Sequence, residues 1–280
     1  MPISTSAKIH PTAIIEPGAE IGENVEIGAY CCIGEHVIIG RDSKLQSHIV
    51  VMEDTIIGNG VTVYPFASLG QKPQDLRYKG ERSRLEIGSN TVIREYVTAN
   101  IGTSGGGMVT QIGKNCLIMA YCHIAHDCII GDNVILVNGV NLAGHVTVGD
   151  NAIIGGMSAV KQFIRIGKHA MIGGCSGIDR DVIPYGVVRS DRVTTLKGLN
   201  IIGLRRRGFS NEEIKLMQSV YDEIFATDTG TAIASDKLKE LKQLHCSDEN
   251  ITEIIDFLLA YSKNPICTLT PTDRNPNSMY

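Results

Sequence analysis

The sequence predicts a β-solenoid followed by a small helical domain. An aliphatic residue recurs at every sixth position from Ile9 to Leu69, and again from Ile112 to Ile178. Glycine often follows it, as at Gly22, and Asn or Asp is frequent at the intervening corners. From about Lys197 this period disappears and apolar residues recur at helical spacing. Such a fixed internal period is the signature of a repeat architecture and has to be interpreted first.

A period of six fits neither an α-helix nor one long strand. Each hexad instead supplies a short extended segment with one inward aliphatic residue, and then a corner of Gly, Asn or Asp. Stacked coils pair their backbones with one another and bury a continuous aliphatic column. We therefore expect an all-β solenoid domain over residues 1–190.

Two insertions interrupt the repeat. The first, near 71–86, leaves the phase unchanged, because the aliphatic series resumes at Ile87. The second, "NIGTSGGGMVT" at 100–110, shifts the phase by one residue before Ile112. Neither segment has the period of the solenoid, so both are insertions into the repeat.

The remainder, 191–280, is predicted to be an α-helical domain. Ser210 and Glu213 form a capping-box pattern ahead of an amphipathic stretch in "SNEEIKLMQSVYDEIF". Lys237 to Leu244 predicts a short helix and "NITEIIDFLLAYS" a further amphipathic one, whereas the last residues, "TPTDRNPNSMY", predict a frayed end.

Composition excludes several classes of function. The chain is 20% charged with a net charge of −4, so no overall basic field indicates nucleic-acid binding. No apolar stretch is long enough to span a bilayer, and the start has no signal-peptide core, so we expect a cytoplasmic protein without an integral membrane segment. The eight cysteines include no C-x-x-C pair, which favours core packing over disulfides or a metal site.

The period resembles that of the hexapeptide-repeat proteins, whose parallel β-helix is left-handed with three hexads, or 18 residues, in each coil. With that coil length, His126 stacks under Gly144 and then Gln162. Such a column offers a titratable base, a backbone donor and a side-chain amide on one edge. Histidines in the fourth place of a hexad, His145 among them, are expected to be solvated. A polar edge without chemistry is the alternative reading.

An ordered set of motifs is similar to the UDP-N-acetylglucosamine O-acyltransferases of lipid A biosynthesis. The resemblance covers nearly the whole chain, including the insertions and the helical domain. It rests on these segments: "QDLRY" (74–78), "HIAHDC" (123–128), "LAGHV" (142–146), "AIIGGMSAV" (152–160), "GGCSG" (173–177) and "RRRGFS" (205–210).

The resemblance implies an acyltransferase that uses no cofactor of its own. A 3-hydroxyacyl chain, carried on the phosphopantetheine of acyl carrier protein, is transferred to the 3-position of a UDP-sugar. His126 is then the general base, Asp127 supports it and the N–H of Gly144 is the oxyanion donor, without an acyl-enzyme. The other implied contacts are Asp75, Arg77, His123, His145, Lys161 and Gln162 for the acceptor, Asn200 and Arg207 for the nucleotide, Arg206 for the pantetheine arm, and Gly174, Met119 and Arg192 for the length of the acyl chain.

Departures from the family pattern affect the acceptor contacts more than the reaction. Arg77 stands where many members have lysine, and Lys161 replaces a common histidine. Ile202 replaces an acidic residue, and Arg192 stands where some members have histidine. The sequence leaves open whether the acceptor carries a 3-hydroxyl or a 3-amine, and the acyl length to one carbon.

Partners follow from shape and charge. Concave surfaces on a three-sided prism form where two prisms meet, so we expect a homotrimer. An acidic carrier protein would find cations at Arg165, Lys168, Arg180, Arg205, Arg206 and Arg207.

Two other classes stay open. One is a γ-carbonic-anhydrase-like zinc lyase using His123, His126 and His145. The other is a structural solenoid without chemistry.

Overall fold

A computed structural model describes residues 3–52, 54–190, 194–225 and 235–268. The described part of the solenoid is a left-handed parallel β-helix with three sheets, as predicted. We name the sheets A, B and C in the order in which the chain visits them, and the corners by the two sheets that they join. The frayed end predicted at 270–280 and the position of Arg192 lie outside the described residues.

Most strands of the three sheets are two residues long. Sheet A contains Lys8–Ile9, Glu26–Ile27, Lys44–Leu45, Thr62–Val63, Val92–Ile93, Leu117–Ile118, Ile135–Leu136, Ile153–Ile154, Met171–Ile172, Gly186–Ser190 and Thr194–Leu199. Sheet B contains Ile14–Ile15, Cys32–Ile33, Val50–Val51, Ser68–Gln71, Thr98–Asn100, His123–Ile124, Asn141–Leu142, Ala159–Val160 and Gly177–Ile178. Sheet C contains Glu20–Ile21, Ile38–Ile39, Asp54–Ile57, Arg84–Ile87, Val109–Ile112, Ile129–Ile130, Thr147–Val148 and Arg165–Ile166.

The strand register confirms a coil of 18 residues. Ile9 pairs with Ile27, and farther along His123 pairs with Asn141, which pairs with Ala159. The first-place aliphatic residues form the core, and all of those from Ile21 to Ile178 are buried. The six-residue period thus predicts the interior, and the resemblance to hexapeptide-repeat proteins predicts the length of the coil.

Corners are made by fourth-place residues in the left-handed region. Asn24, Asp127 and His145 have φ values of 56°, 61° and 62°. Asn and Asp tolerate this conformation, whereas for bulky residues it is rare. Tyr30 and Phe66 nevertheless adopt it on the A–B corner, where an exposed column of stacked rings contains Tyr30, His48, Phe66, Tyr96 and Tyr121.

Both insertions leave the solenoid at the B–C corner. The first connects Ser68–Gln71 of sheet B to Arg84–Ile87 of sheet C, and the second connects Thr98–Asn100 to Val109–Ile112. His126 lies on the same corner one coil later, between His123–Ile124 and Ile129–Ile130. The fold thus collects the two irregular segments next to the candidate base.

The described part of the C-terminal domain contains four helices: α1 (Ile201–Arg206), α2 (Asn211–Phe225), α3 (Ser235–Leu244) and α4 (Glu249–Leu259). The capping box before α2 is reciprocal: the Ser210 N–H donates to Glu213 at 2.7 Å and the Glu213 N–H to Ser210 Oγ at 3.1 Å. The sequence reading missed α1 and the antiparallel hairpin of Gly186–Ser190 and Thr194–Leu199.

Two predicted docking cations hold the helical domain onto the solenoid. Arg165 donates to the buried carboxylate of Asp181 at 2.7 Å, and its guanidinium lies 4.3 Å from the ring centroid of Phe257 in α4. Lys168 pairs with Glu253 of the same helix at 3.2 Å. Both cations are neutralised by a carboxylate, so neither is a free surface cation. The sequence prediction missed this because these carboxylates could not be identified from sequence spacing. None of the described helices is long and apolar enough to cross a membrane.

Candidate active site

A column of predicted residues lies on the B–C corner. The register that pairs His123, Asn141 and Ala159 places His126, Gly144 and Gln162 above one another on successive coils. All three line a cavity of about 320 Å³, together with Gln74 of the first insertion. The predicted column is therefore present and opens onto a concave surface.

His126 is buried, and its ring orientation is fixed by Asp127. The distance from His126 Nδ1 to Asp127 Oδ2 is 2.7 Å. A carboxylate can only accept hydrogen bonds, so Nδ1 carries the proton when the imidazole is neutral. The Nε2 atom then has a free lone pair on the cavity side, which is the requirement for a general base.

Asp127 is itself held by the second insertion. The Thr103 N–H donates to Oδ1 at 2.8 Å and the Thr103 hydroxyl donates to Oδ2 at 2.6 Å. At the other end of the insertion, Thr110 Oγ1 accepts from the Asp127 N–H at 2.8 Å. Every one of these groups is buried. Both carboxylate oxygens are thus hydrogen-bonded and buried, and hydrogen bonds are stronger in such surroundings.

Gly144 is a glycine because the imidazole of His126 lies against its Cα. An added Cβ would be 2.5 Å from Cε1 and 2.6 Å from Nε2 of that ring. Its backbone N–H donates no hydrogen bond to any other described residue. A donor beside the candidate base is therefore free to bind an oxyanion.

The first insertion places Asp75 on the cavity side of His126. Asp75 Oδ2 is 3.8 Å from His126 Nε2, too far for a hydrogen bond but close enough to stabilise an imidazolium. Arg77 binds the same carboxylate with two side-chain nitrogens, at 2.9 to 3.2 Å, and lowers the pKa of Asp75 to about 2. Asp75 is consequently ionised throughout the physiological range.

His145 is packed between rings, although its hexad position predicts a solvated side chain. Its ring stacks on Phe163 at a centroid distance of 4.4 Å and meets the ring of His126 edge-on at 5.1 Å. The Nζ atom of Lys263, from the segment after α4, lies over the ring of Phe163, 3.9 Å from its centroid. Burial is the main cause that lowers the pKa of His145, so its neutral form is favoured. The prediction that the His145 side chain is solvated was wrong, because neighbouring fourth-place residues stack along the corner.

The remaining acceptor positions surround the cavity. His123 lines it, with Nδ1 2.7 Å from Thr98 Oγ1, and burial lowers the pKa of His123 as well. Gln162 is exposed at the cavity, and Lys161 precedes it on the same corner, also exposed.

Other predicted site residues lie away from this corner within one chain. Met119 and Gly174 are on the A–B corner. Asn200 caps α1, accepting from the Gly203 N–H at 3.1 Å, and donates to the His169 carbonyl on the C–A corner at 3.0 Å. Arg206 and Arg207 end the same helix, and among the described residues no carboxylate pairs with either. Their predicted contacts stay predictions.

Within the part of the chain that the structure describes, one group could hold a metal ion. His126, Asp127 and His145 offer ligand atoms within 4.8 Å of one another. However, Asp127 Oδ2 already accepts from Thr103 and His126, so a metal would have to displace both bonds. The zinc-lyase alternative names His123 rather than Asp127, and His123 is not in this group.

Sequence reasoning missed Thr103, Thr110, Gln74, Phe163 and Lys263. For Thr103, Thr110 and Gln74 the only available signal was the presence of the insertions, since a hexad pattern says nothing about the path of a segment that leaves it; Phe163 lies within the repeat and Lys263 after α4. A pocket on sheet A has a larger volume than the cavity at His126, about 750 Å³. It is lined by Lys8, His10 and Glu26 among others and contains none of the predicted catalytic residues.

Comparisons with known proteins identify the family that the chain resembles. The family described as Udp N-acetylglucosamine O-acyltransferase, domain 2, matches residues 181–267, and bacterial transferase hexapeptide repeats match 6–41 and 110–144. The acyl-[acyl-carrier-protein]--UDP-N-acetylglucosamine O-acyltransferase of Rickettsia bellii is 52% identical, over 96% of this chain and 94% of its own. That of Azorhizobium caulinodans is 48% identical over 93% and 95%. The structure of LpxA from Acinetobacter baumannii has a TM-score of 0.86 and 42% identity, covering 92% of this chain and 99% of the other.

Proposed function

The chain belongs to the family of UDP-N-acetylglucosamine O-acyltransferases, and from that premise we propose that it catalyses the first step of lipid A biosynthesis. It transfers a 3-hydroxyacyl chain from acyl carrier protein to the 3-position of UDP-N-acetylglucosamine or its 3-amino analogue. The observation that carries this proposal is the His126 imidazole, with Nδ1 bound to Asp127 and Nε2 directed at the cavity.

The reaction follows from these positions. Nε2 of neutral His126 removes the proton from the acceptor 3-hydroxyl or 3-amine as that atom attacks the thioester carbon. The carbonyl oxygen becomes an oxyanion that the Gly144 N–H stabilises. When the intermediate collapses, the carbon–sulfur bond breaks and the imidazolium returns its proton to the departing pantetheine sulfur. Asp127 and Asp75 support the positive charge on His126 in between.

No acyl-enzyme is needed. Burial raises the pKa of the nearby Cys122 thiol to about 11 and that of Cys128 to about 12. Both thiols stay protonated at neutral pH, whereas the thiolate is the nucleophilic form. The acceptor therefore attacks the donor directly, and mass spectrometry of enzyme incubated with donor alone should find no acylated protein.

A cyclic homotrimer would complete the site. The predicted catalytic residues lie on the B–C corner, Met119 and Gly174 on the A–B corner, and Asn200 next to the C–A corner, where it donates to the His169 carbonyl. Threefold packing of prisms sets corners of different subunits against each other and creates three equivalent clefts. Sedimentation should give a trimer mass at assay concentrations. An active monomer would contradict this arrangement.

The carrier protein is expected to dock at the end of α1. Arg205 and Arg206 are exposed there beside the half-buried Arg207, and no described carboxylate neutralises them. Acyl carrier proteins are acidic, so electrostatic attraction would raise the rate of encounter.

An acyl-transfer assay tests the function. Purified protein is offered both sugar nucleotides against a series of 3-hydroxyacyl carrier-protein thioesters. We expect transfer to at least one sugar nucleotide with a preferred chain length, and much weaker use of the coenzyme A thioester. No transfer from any carrier-protein thioester would refute the proposal.

A further inference from the structure

The second insertion encloses the carboxylate of Asp127. Thr103, near its start, donates its N–H to one carboxylate oxygen and its hydroxyl to the other, while Thr110, at its end, accepts from the Asp127 N–H. Between them, Gly106 packs so closely that an added Cβ would overlap the Asp127 carboxyl group. Gly106 of "SGGG" is therefore required by close approach, whereas Gly107 has a φ of 95° and would place its Cβ in open space.

The pattern of these bonds fixes the plane of the carboxylate. The Thr103 N–H holds Oδ1 at 2.8 Å, which leaves Oδ2 directed at Nδ1 of His126. The Thr103 hydroxyl shares Oδ2 with that imidazole, at 2.6 Å. The side chain of Asp127 has no solvent exposure, so no water can replace a lost donor without rearrangement.

We infer that Thr103 is a positioning residue for the acyl-transfer reaction. Its two bonds keep Asp127 oriented so that Nδ1 of His126 carries the proton and Nε2 remains the base. Thr103 touches neither substrate nor the reacting atoms, and it acts through Asp127 alone. The inference rests on the proposed function, because it assigns Thr103 to the chemistry of that site.

Three variants separate positioning from stability. Thr103→Val keeps the shape and the backbone N–H but removes the hydroxyl, whereas Thr103→Ser keeps the hydroxyl. Thr91→Val is the matched control: Thr91 is buried and its hydroxyl donates to the Gly113 carbonyl at 2.8 Å, without contacting Asp127. If Thr103→Val is unfolded at the assay temperature, Thr103→Ala makes the same comparison.

We expect Thr103→Val to lower kcat by about 10-fold to 100-fold, the range that corresponds to one hydrogen bond to a charged group. The KM values for both substrates should stay within about twofold, since acceptor and donor do not touch Thr103. Thr103→Ser should recover most of the kcat. Thr91→Val should lower the melting temperature but keep kcat.

The pH profile provides a second readout. The charged or titratable groups that face His126 and Asp127 are His145, whose Nδ1 is 3.8 Å from Asp127 Oδ2, His123, which lines the same cavity, and Asp75 with its partner Arg77. Without the Thr103 hydroxyl, Asp127 becomes a stronger acceptor for the protonated imidazole. The midpoint of the acidic limb of kcat/KM should therefore move to higher pH in Thr103→Val and stay unchanged in Thr91→Val.

The outcomes are distinguishable. If the wild-type protein transfers acyl chains but Thr103→Val keeps more than half of its kcat and the wild-type pH profile, the inference is wrong and the proposed function stands. Equal losses in Thr103→Val and Thr103→Ser would also overturn it, since the hydroxyl would then be irrelevant. If the wild-type protein transfers nothing, the proposed function fails first.

Discussion

Replacing Gly144 by alanine tests the geometry of the site with a single methyl group. Gly144 has an ordinary backbone conformation that alanine can adopt, so the fold should survive. The added Cβ would lie 2.5 Å from Cε1 and 2.6 Å from Nε2 of His126, where ordinary contacts begin at 3.4 Å. The imidazole must therefore move by roughly 1 Å, and this movement breaks the 2.7 Å bond to Asp127.

The expected loss follows from that displacement. A misplacement of about 1 Å at a reacting group costs on the order of 10²-fold in rate. We expect kcat/KM for acyl transfer to fall by about 10² or more in Gly144→Ala, with an unchanged melting temperature to within a few degrees. Release of the carrier-protein thiol, followed with a thiol reagent, measures this rate.

A matched control is available at Gly177, in the strand Gly177–Ile178 of sheet B. Gly177→Ala also adds one methyl group to a glycine in an ordinary conformation, but its Cβ meets no atom within 4 Å. It should keep wild-type activity. If Gly144→Ala retains more than half of the wild-type rate, the imidazole of His126 does not work from the observed position.

Three further predictions concern other parts of the chain. Gly174→Met should shift the preferred donor to shorter acyl chains while keeping the rate on short donors. A Cβ at this position meets only Gly156 O at 3.3 Å and Gly156 N at 3.7 Å, so a side chain can be accommodated. An equal loss of rate at every chain length would show that another residue sets the length of the acyl chain. Burial, and then nearby cations, lower the pKa of His169 from 6.5 to about 4. The folded state therefore resists protonation of His169, and the free energy of unfolding should fall as pH drops from 6.5 toward 4. In denaturant titrations, His169→Asn should remove part of this fall. His48→Asn, at an exposed corner, should leave it unchanged. Arg206→Ala should raise the KM for the carrier protein and weaken its salt dependence, whereas Arg41→Ala near the other end of the solenoid should change neither.

Most of the solenoid can be predicted from the sequence because one requirement repeats at every coil. Each first-place residue must fill the same interior, so aliphatic side chains recur and the register follows. The hairpin of Gly186–Ser190 and Thr194–Leu199 escapes prediction because it ends the repeat and pairs antiparallel only once.

Corners are less predictable than strands. Asn and Asp at fourth places indicate the left-handed conformation by their ordinary preferences. Tyr121 and Phe163 do not, because a bulky side chain in this conformation is stabilised only by stacking on the coil next to it. The same stacking removes His145 from solvent, against the expectation from its place in the hexad.

Some residues of the candidate site can also be predicted from the sequence, and others cannot. His126 and Gly144 follow from the 18-residue coil, and Asp127 follows from its neighbour. Thr103 does not follow, since its contact with Asp127 depends on the path of the insertion and no periodic rule describes that path. Arg165 was expected to be free and is not, because Asp181 lies beside it only in the folded chain.

The most direct test of the central claim is the rate of acyl transfer by His126→Ala. Loss of a general base costs about 10²-fold to 10⁴-fold in rate. We expect the rate of transfer from a 3-hydroxyacyl carrier protein to the sugar nucleotide to fall by that factor, with trimer mass and melting temperature close to those of the wild-type protein. A folded His126→Ala variant that keeps more than half of the wild-type rate would show that another group accepts the proton.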